Sequence, residues 1–510
     1  MFMTMYLVLL ALFLLYKFWT SNYNYWKDRD IPHIPAVFPF GSSRDLALQS
    51  GFQGYLWSEL YQKLSPLQLF GVHIMRTPFL VIRDPDVIRF VLASSFFNFR
   101  DRQPFKRSRE PLTHHLFNLE GEQWRALRTK LTSTFTSGKL KGMFPLFLSC
   151  SESLDSILQR NVNTVIDVKD ITARFSTDII GTCAFGMDMD SISNPNAEFR
   201  KIGIEIFKLK NSTRLKLALV NTFPAIMKIF SPRFTPKSVE KFILGAVSST
   251  IEHRLRYGIK RRDFIDLLMI LKNMNGEKIK SGDITKVNLS NMTMEMMAAQ
   301  CFVFFTAGFE TSGSVQSCCL YELALNEDIQ CRVQKEIDHM IENFSGLTYE
   351  AVQKMVYLDM VIAETMRKYP TLPSLTRFST ERTVLPSGHV IEKGVRVLIP
   401  VWALHRDPQL FPEPEKFDPE RFSDENIASI KPFSYLPFGE GPRMCIGKRF
   451  GLLQTKMGLI TVLKNYRVEL TSKTVIPLDF SPKCILITAT EGPIHLKLTS
   501  RSEDPRASVL

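Results

Sequence analysis

Cys445 stands in Phe438-Gly-Glu-Gly-Pro-Arg443-Met-Cys445-Ile-Gly447, a loop that leads into an apolar-periodic run beginning at Arg449. A lone cysteine most often behaves as a small core hydrophobe. This one sits among glycines 439, 441 and 447, which let backbone crowd close to something flat, and beside Pro442, which stiffens the turn. Just ahead of a helix start, its sulfur meets the positive end of the dipole and outward N–H groups, and both favour thiolate. A thiolate in a water-poor loop suits a soft metal. The remaining cysteines, at 150, 183, 301, 318, 319, 331 and 484, form no C-x2-C pair, and no second cysteine or histidine lies near Cys445. Zinc spacing is therefore missing. One thiolate without partners points to a metal that brings its own equatorial ligands, haem iron held by a proximal cysteine.

Other constellations need helices to position them. From Asn291 to Asn326 the chain has no proline and few charges, and reads as a buried helix of about 35 residues, roughly 50 Å long. In its middle lies Ala307-Gly308-Phe309-Glu310-Thr311-Ser312. Small residues there lower helix propensity, and a glutamate among apolar neighbours needs a reason. A threonine in that position can also simply bond back to a carbonyl of its own helix. Glu364 and Arg367, shortly before Tyr369-Pro370, are three apart and share a helix face. Taken alone, that spacing describes an ordinary solvated ion pair.

Together these segments make the chain similar to the cytochrome P-450 family of haem-thiolate monooxygenases. The family signature F-x-x-G-x-R-x-C-x-G is met at Phe438, Gly441, Arg443, Cys445 and Gly447. The resemblance implies a mainly α fold with a small β-subdomain, preceded by an N-terminal transmembrane helix, and haem b bound through Cys445. The pattern A/G-G-x-D/E-T-T/S is met with Glu310 as the acid. It implies that Ala307 and Gly308 open a groove for dioxygen, Thr311 holds oxygen and waters, and Glu310 feeds protons inward. The family's E-x-x-R pair is met by Glu364 and Arg367, and its P-x-R-F element by Pro419-Glu-Arg421-Phe422. Those three charges would fix the loop presenting the cysteine. Trp124 and Arg128 match W-x-x-x-R and, with Arg377 and Arg443, are the expected partners of the haem propionates. The stretch Thr383–Val401, turning at Ser387-Gly388, fits the β-subdomain. His114, His115 and His405 are read as loop or surface residues.

Residues 1–16 carry no charged side chain, and Lys17 follows. The run is just adequate to span a bilayer with Lys17 snorkelling, and neither a basic start nor a small-residue cleavage site marks a removable signal. Lys17, Lys27 and Arg29 all follow the run, placing the rest on the cytosolic side. A buried N-terminal helix is the other reading. The expected organisation is an anchor at 1–20, an interfacial and proline-rich hinge at 21–45, one monooxygenase domain at 46–500 and a flexible tail at 501–510. On the cytosolic side of the endoplasmic reticulum the cysteines stay reduced, and the N-x-S/T sequons at Asn211, Asn288, Asn291 and Asn343 go unused.

The formal charge of +13, 64 basic against 51 acidic residues, is uneven. Lys201 to Arg262 holds 14 Lys/Arg against 3 Asp/Glu around the apolar stretch Leu215–Phe230. This pattern suits anionic lipid headgroups, or ordinary solvated helix faces. No recognition pattern accompanies it, so nucleic acid is not expected.

The chain has no strand-linked G-x-G-x-x-G and no flavin domain, so electrons must come from outside. NADPH–cytochrome P-450 reductase is the implied donor, with cytochrome b5 as a possible helper and Arg125, Lys130, Lys139, Lys141, Lys448 and Arg449 as the docking face. Lipophilic substrate contacts are expected in Asp101–Leu119, Leu209–Phe230, Phe302–Thr311, Leu372–Phe378 and Cys484–Thr488, with Phe304 either lining the pocket or packing the core. The wording around Glu310 and Cys445 looks most like insect xenobiotic-metabolising members. A hydroxylase of hormones or fatty acids, a haem-thiolate isomerase or dehydratase, and a haem sensor are the alternatives.

Overall fold

The computed structural model describes residues 1–102, 110–207, 211–223, 233–261, 263–273, 292–484 and 486–501. Helix α1 (Phe2–Thr20) buries none of its residues and, among the described residues, is the one helix long and apolar enough to cross a membrane. Its foot is fastened to the rest of the chain. The Trp19 indole donates to the Pro39 carbonyl at 2.7 Å, and Phe18 stacks on Phe223 with ring centres 5.7 Å apart. The segment 21–45, expected as a hinge, packs against residues 71–75. Trp26 is fully buried and donates to the Val72 carbonyl, with Ile31 and Ile34 buried beside it. Its prolines signalled stiffness, but the burial comes from partners distant in sequence.

Three small sheets flank the helices. Strands β1 (Leu69–Ile74), β2 (Thr77–Ile82), β7 (Arg396–Ile399) and β4 (Leu375–Phe378) make one sheet in the order β1-β2-β7-β4. Strands β3 (Val165–Asp167), β9 (His495–Ser500) and β8 (Tyr466–Glu469) make the second, and β5 (Thr383–Val384) with β6 (Val390–Ile391) the third. The expected β-subdomain thus covers only β5, β6 and β7. Strand β2 escaped because Phe79–Ile82 is buried throughout and shows no alternation of polar and apolar residues.

The helical body is built from α2 (Gly121–Thr132), α3 (Ser137–Arg160), α4 (Val168–Ile180), α5 (Lys237–Tyr257), α6 (Met294–Leu325), α7 (Val356–Lys368) and α8 (Lys448–Leu463). Helix α6 is the predicted long helix. Thr293 caps it, its hydroxyl accepting the Met296 N–H at 3.2 Å. It packs against α4, α5, α7 and α8 at the centre of the main hydrophobic cluster. Close approach to α4 is set by two glycines. A Cβ on Gly313 would sit 3.2 Å from the Ala173 Cα, and one on Gly308 only 2.2 Å from the Ile180 Cδ1.

All eight cysteines are free thiols. Arg501 is held by Asp338 and by the carbonyls of Leu463 and Lys464. The rest of the expected tail lies outside the described residues, as do Pro224, Ile226, Met227 and Ile229 of the apolar stretch.

Candidate active site

The cysteine loop owes its shape to backbone contacts. Gly441 has φ +74°, and a Cβ there would fall 1.9 Å from the Leu92 carbonyl oxygen, so only glycine fits. The Cys445 N–H donates to the Phe438 carbonyl at 2.9 Å. Gly447 then caps α8, and its N–H points at the Cys445 sulfur. Two arginines grip the chain just before the cysteine. Arg102 donates to the Arg443 carbonyl at 2.7 Å, and Arg128 to that of Met444 at 2.9 Å. Cys445 itself remains accessible. Burial by its surroundings raises its thiol pKa, against the pull of the Gly447 N–H and of Arg102, Arg128 and Lys448. The local dipole argument foresaw the second influence but not the first, which is the larger.

Four arginines gather beside the loop. Arg128 and Trp124 share a face of α2, Arg377 lies on β4 opposite Val397, Arg443 is in the loop, and Arg102 comes from the segment before α2. Arg443 donates to the Leu119 carbonyl at 2.7 Å and stacks 4.2 Å over the Trp124 ring. Its nearest carboxylate is Asp101, at 3.4 Å. Among the described residues no carboxylate pairs with Arg102, Arg128 or Arg377. Burial lowers the pKa of all four, to about 10 for Arg102 and about 9 for Arg443, and repulsion from neighbouring arginines adds to it for Arg102, Arg377 and Arg443. The buried Nε atoms of Arg377 and Arg443 have no hydrogen-bond partner. So much unpaired cationic surface calls for anions, and two carboxylates on a flat group beside Cys445 answer it. These residues fit haem. Arg102 went unnoticed in sequence because a single loop arginine carries no spacing signal.

Across α6, Ala307 is exposed among buried and half-buried neighbours and Thr311 is half-buried. The Gln454 amide of α8 donates to the Gly308 carbonyl at 3.2 Å, tying this turn to the helix that follows Cys445. Gly308 was expected to open an oxygen groove, but its missing side chain leaves room for Ile180. Ala307 presents a small accessible side. The Thr311 hydroxyl donates to the Ala307 carbonyl at 2.5 Å, the back-bonded arrangement. Its oxygen remains able to accept. Glu310 is largely enclosed, and burial raises its pKa against the opposing Lys169 and Arg200. Phe304 packs 4.3 Å from Phe264 and 5.0 Å from Phe135 in ring-centre distance, which makes it a core residue.

Behind the loop, Glu364 and Arg367 of α7 are fully buried and paired at 2.7 Å. Glu364 also accepts the Asp418 N–H at 2.9 Å, while the Arg421 Nε lies 3.5 Å away. Arg421 is the weaker member, because its Nε makes no hydrogen bond and Nη2 is used by the Glu413 carbonyl.

Two polar anchors had no sequence signal. Gln300, buried in α6, accepts the Leu116 N–H at 3.0 Å and donates to the His114 carbonyl. Glu110 is buried and accepts the N–H groups of Phe234 and Thr235, each at 2.8 Å, clamping the segment before α2 to the one before α5.

The histidines need correcting. His114 is exposed, but His115 and His405 are buried, as is His73. Each is enclosed by chain remote in sequence, so local polarity misled. Burial lowers their pKa values to about 3, 3 and 4. An unfolded histidine takes up a proton below about 6.5, and these do so only far lower. Below that pH the unfolded chain binds more protons, so stability is lost as pH falls. At pH 5 the expected loss is about 2 kcal/mol per histidine relative to pH 7. A thermal midpoint that stays level between pH 7 and 5 would contradict this.

An accessible cysteine on a clamped loop, an anion-seeking arginine cluster and a long helix with an acid–threonine pair define a haem-thiolate protein. Residues 41–498 match the family model described as Cytochrome P-450, and the chain belongs to that family. Its similarity is strong to insect members. It is 40% identical to the probable cytochrome P-450 6a14 of Drosophila melanogaster over 98% of this chain and 99% of that one. Identity is also 40% to cytochrome P-450 6a2 of the same species, with the same coverage, and 37% to cytochrome P-450 6k1 of Blattella germanica over 95% of each chain. Family membership makes the protein a haem-thiolate monooxygenase with a cysteine-ligated iron.

Proposed function

We propose that the protein is an anchored monooxygenase of lipophilic small molecules, of the kind that clears xenobiotics, plant toxins or insecticides. The supporting observation is the accessible Cys445 beside the arginine cluster with its unpartnered Arg377 and Arg443 Nε atoms, and Ala307, Glu310 and Thr311 on α6. Cys445 is the proposed iron ligand. Trp124, Arg128, Arg377 and Arg443, joined by Arg102, hold the propionates, while Phe438 and Gly447 fix the loop. Bound haem supplies activation of dioxygen, one atom entering the substrate and the other leaving as water.

The chain's own residues then manage protons and water. Glu310, kept prone to protonation by burial, holds a proton within the helix turn that also carries the Thr311 oxygen. Replacing Glu310 by Gln is expected to lower turnover about 100-fold and to raise the solvent isotope effect, with substrate binding spectra unchanged. Unaltered turnover would remove Glu310 from the proton path.

Electrons are proposed to come from NADPH through cytochrome P-450 reductase, with cytochrome b5 as an additional donor. Arg125, Lys139, Lys448 and Arg449 are exposed, while Lys141 is paired with Glu350. A cavity of about 510 Å³ adjoins them, lined by Phe438, Lys448, Arg449 and Lys456. Helix α1 is the proposed anchor in the endoplasmic reticulum, with residues 46–500 as the catalytic domain on the cytosolic face. The test is reconstitution with the reductase and a panel of lipophilic compounds. NADPH consumption coupled to products heavier by one oxygen atom supports the reading, and isomerised or dehydrated products formed without NADPH overturn it.

A further inference from the structure

His405 follows the short helix Val401–Leu404 and is entirely buried. Its ring lies between Phe411 and Tyr435, at centre distances of 6.0 and 5.4 Å. The Leu436 N–H points at its Nε2 from 2.8 Å, and Nδ1 lies 3.2 Å from the Arg367 carbonyl. A backbone N–H can only donate, so Nε2 must accept. The proton is thereby placed on Nδ1, which donates to Arg367. The Arg367 guanidinium in turn donates to the His405 carbonyl at 2.9 Å. One neutral ring therefore joins α7 to the chain two residues before Phe438. From there the path is short. The Leu436 carbonyl accepts the Gly439 N–H at 3.1 Å, and the Phe438 carbonyl accepts the Cys445 N–H at 2.9 Å. Tyr435 adds a second tie, its hydroxyl donating to the Ala363 carbonyl of α7 at 2.9 Å.

We propose that His405 is a positioning residue for Cys445, carrying the rigidity of the buried Glu364–Arg367 pair into the loop that presents the sulfur. The inference rests on Cys445 being the iron ligand. The ring suits this task because it offers one acceptor and one donor on opposite sides with no torsion between them. No flexible side chain fixes both directions at once. Burial also keeps the ring uncharged, so the two roles stay fixed across the working pH range.

Two substitutions separate the arms. His405→Gln retains an acceptor where Nε2 stands and so preserves the Leu436 arm. His405→Asn retains a donor where Nδ1 stands and strands the Leu436 N–H. In the purified holoenzyme, His405→Asn is expected to shift the reduced CO complex from the thiolate to the thiol band, raising the thiol-to-thiolate ratio about tenfold. Hydrogen exchange should accelerate by a similar factor in the peptide containing Leu436. His405→Gln is expected to keep most of both signatures. Val239→Ala, which opens the core of α5 away from this network, serves as a control of comparable destabilisation and should keep the thiolate band. A wild-type thiolate band with unchanged exchange in His405→Asn overturns the proposal. So does an equal loss of the band in Val239→Ala, which would reduce the effect to general stability. If the unsubstituted protein itself lacks the thiolate band, the ligand assignment fails, and the coupling fails with it.

Discussion

Replacing Cys445 by alanine is expected to abolish the thiolate-type reduced CO band and all monooxygenase turnover, while the protein stays folded. The loop's shape does not depend on the sulfur. Its turn is set by Gly441 against the Leu92 carbonyl, its closure by the Cys445 N–H on the Phe438 carbonyl, and its approach by Arg102 and Arg128 on two further carbonyls. All of these survive truncation of the side chain. Only the contact from the Gly447 N–H is lost. A thermal midpoint of the haem-free protein within a few degrees of the unsubstituted one, with no thiolate band, is the expected pair of results. Persistence of the band would assign the ligand to another cysteine, because only a thiolate produces it.

Much of the site was legible because its chemistry is encoded in short spacings. Helix α6 was expected between Asn291 and Asn326 and runs from Met294 to Leu325, with Glu310 and Thr311 at its centre. Glu364 and Arg367 are three apart on one helix, and that alone predicted their pairing. What sequence could not supply were quantities set by distant chain. Arg102 joins the arginine cluster through the fold, not through a motif. Gly308 was read as space for oxygen, yet Ile180 of α4 occupies that space. The thiolate tendency of Cys445 was argued from the helix that follows it, while the burial that opposes it comes from the whole domain. His405 sits in a stretch of ordinary polarity and is completely enclosed. The sheets were missed for a related reason, since Phe79–Ile82 of β2 is buried throughout and its other neighbour, β7, comes from more than 300 residues further along the chain.

Truncating Arg367 to alanine is expected to produce the largest loss of stability of any single change discussed. Glu364 is fully buried and takes two bonds from Arg367, 2.7 Å from Nε and 2.8 Å from Nη2. Without them its charge keeps, among the described residues, the Asp418 N–H and the distant Arg421. An uncompensated buried charge costs about 3–5 kcal/mol, a large part of the roughly 5–15 kcal/mol that holds a folded domain together. The same change frees the carbonyls of His405 and Lys416, to which Arg367 donates at 2.9 and 3.3 Å. Thermal unfolding should move down by about 5–10 °C, and haem content of the purified protein should fall with it. Arg421→Ala provides the comparison. Its long, partly exposed contact predicts a loss of about 1 kcal/mol or less. The decisive measurement is the cycle of Glu364→Leu, Arg367→Leu and their double replacement. Removing both charges strands neither, so the double variant should be more stable than Arg367→Leu alone, with a coupling energy of about 2–3 kcal/mol. Simple addition of the two single losses would mean that the pair acts independently, and the loop would then have to be held by His405 and the two arginine clamps without it.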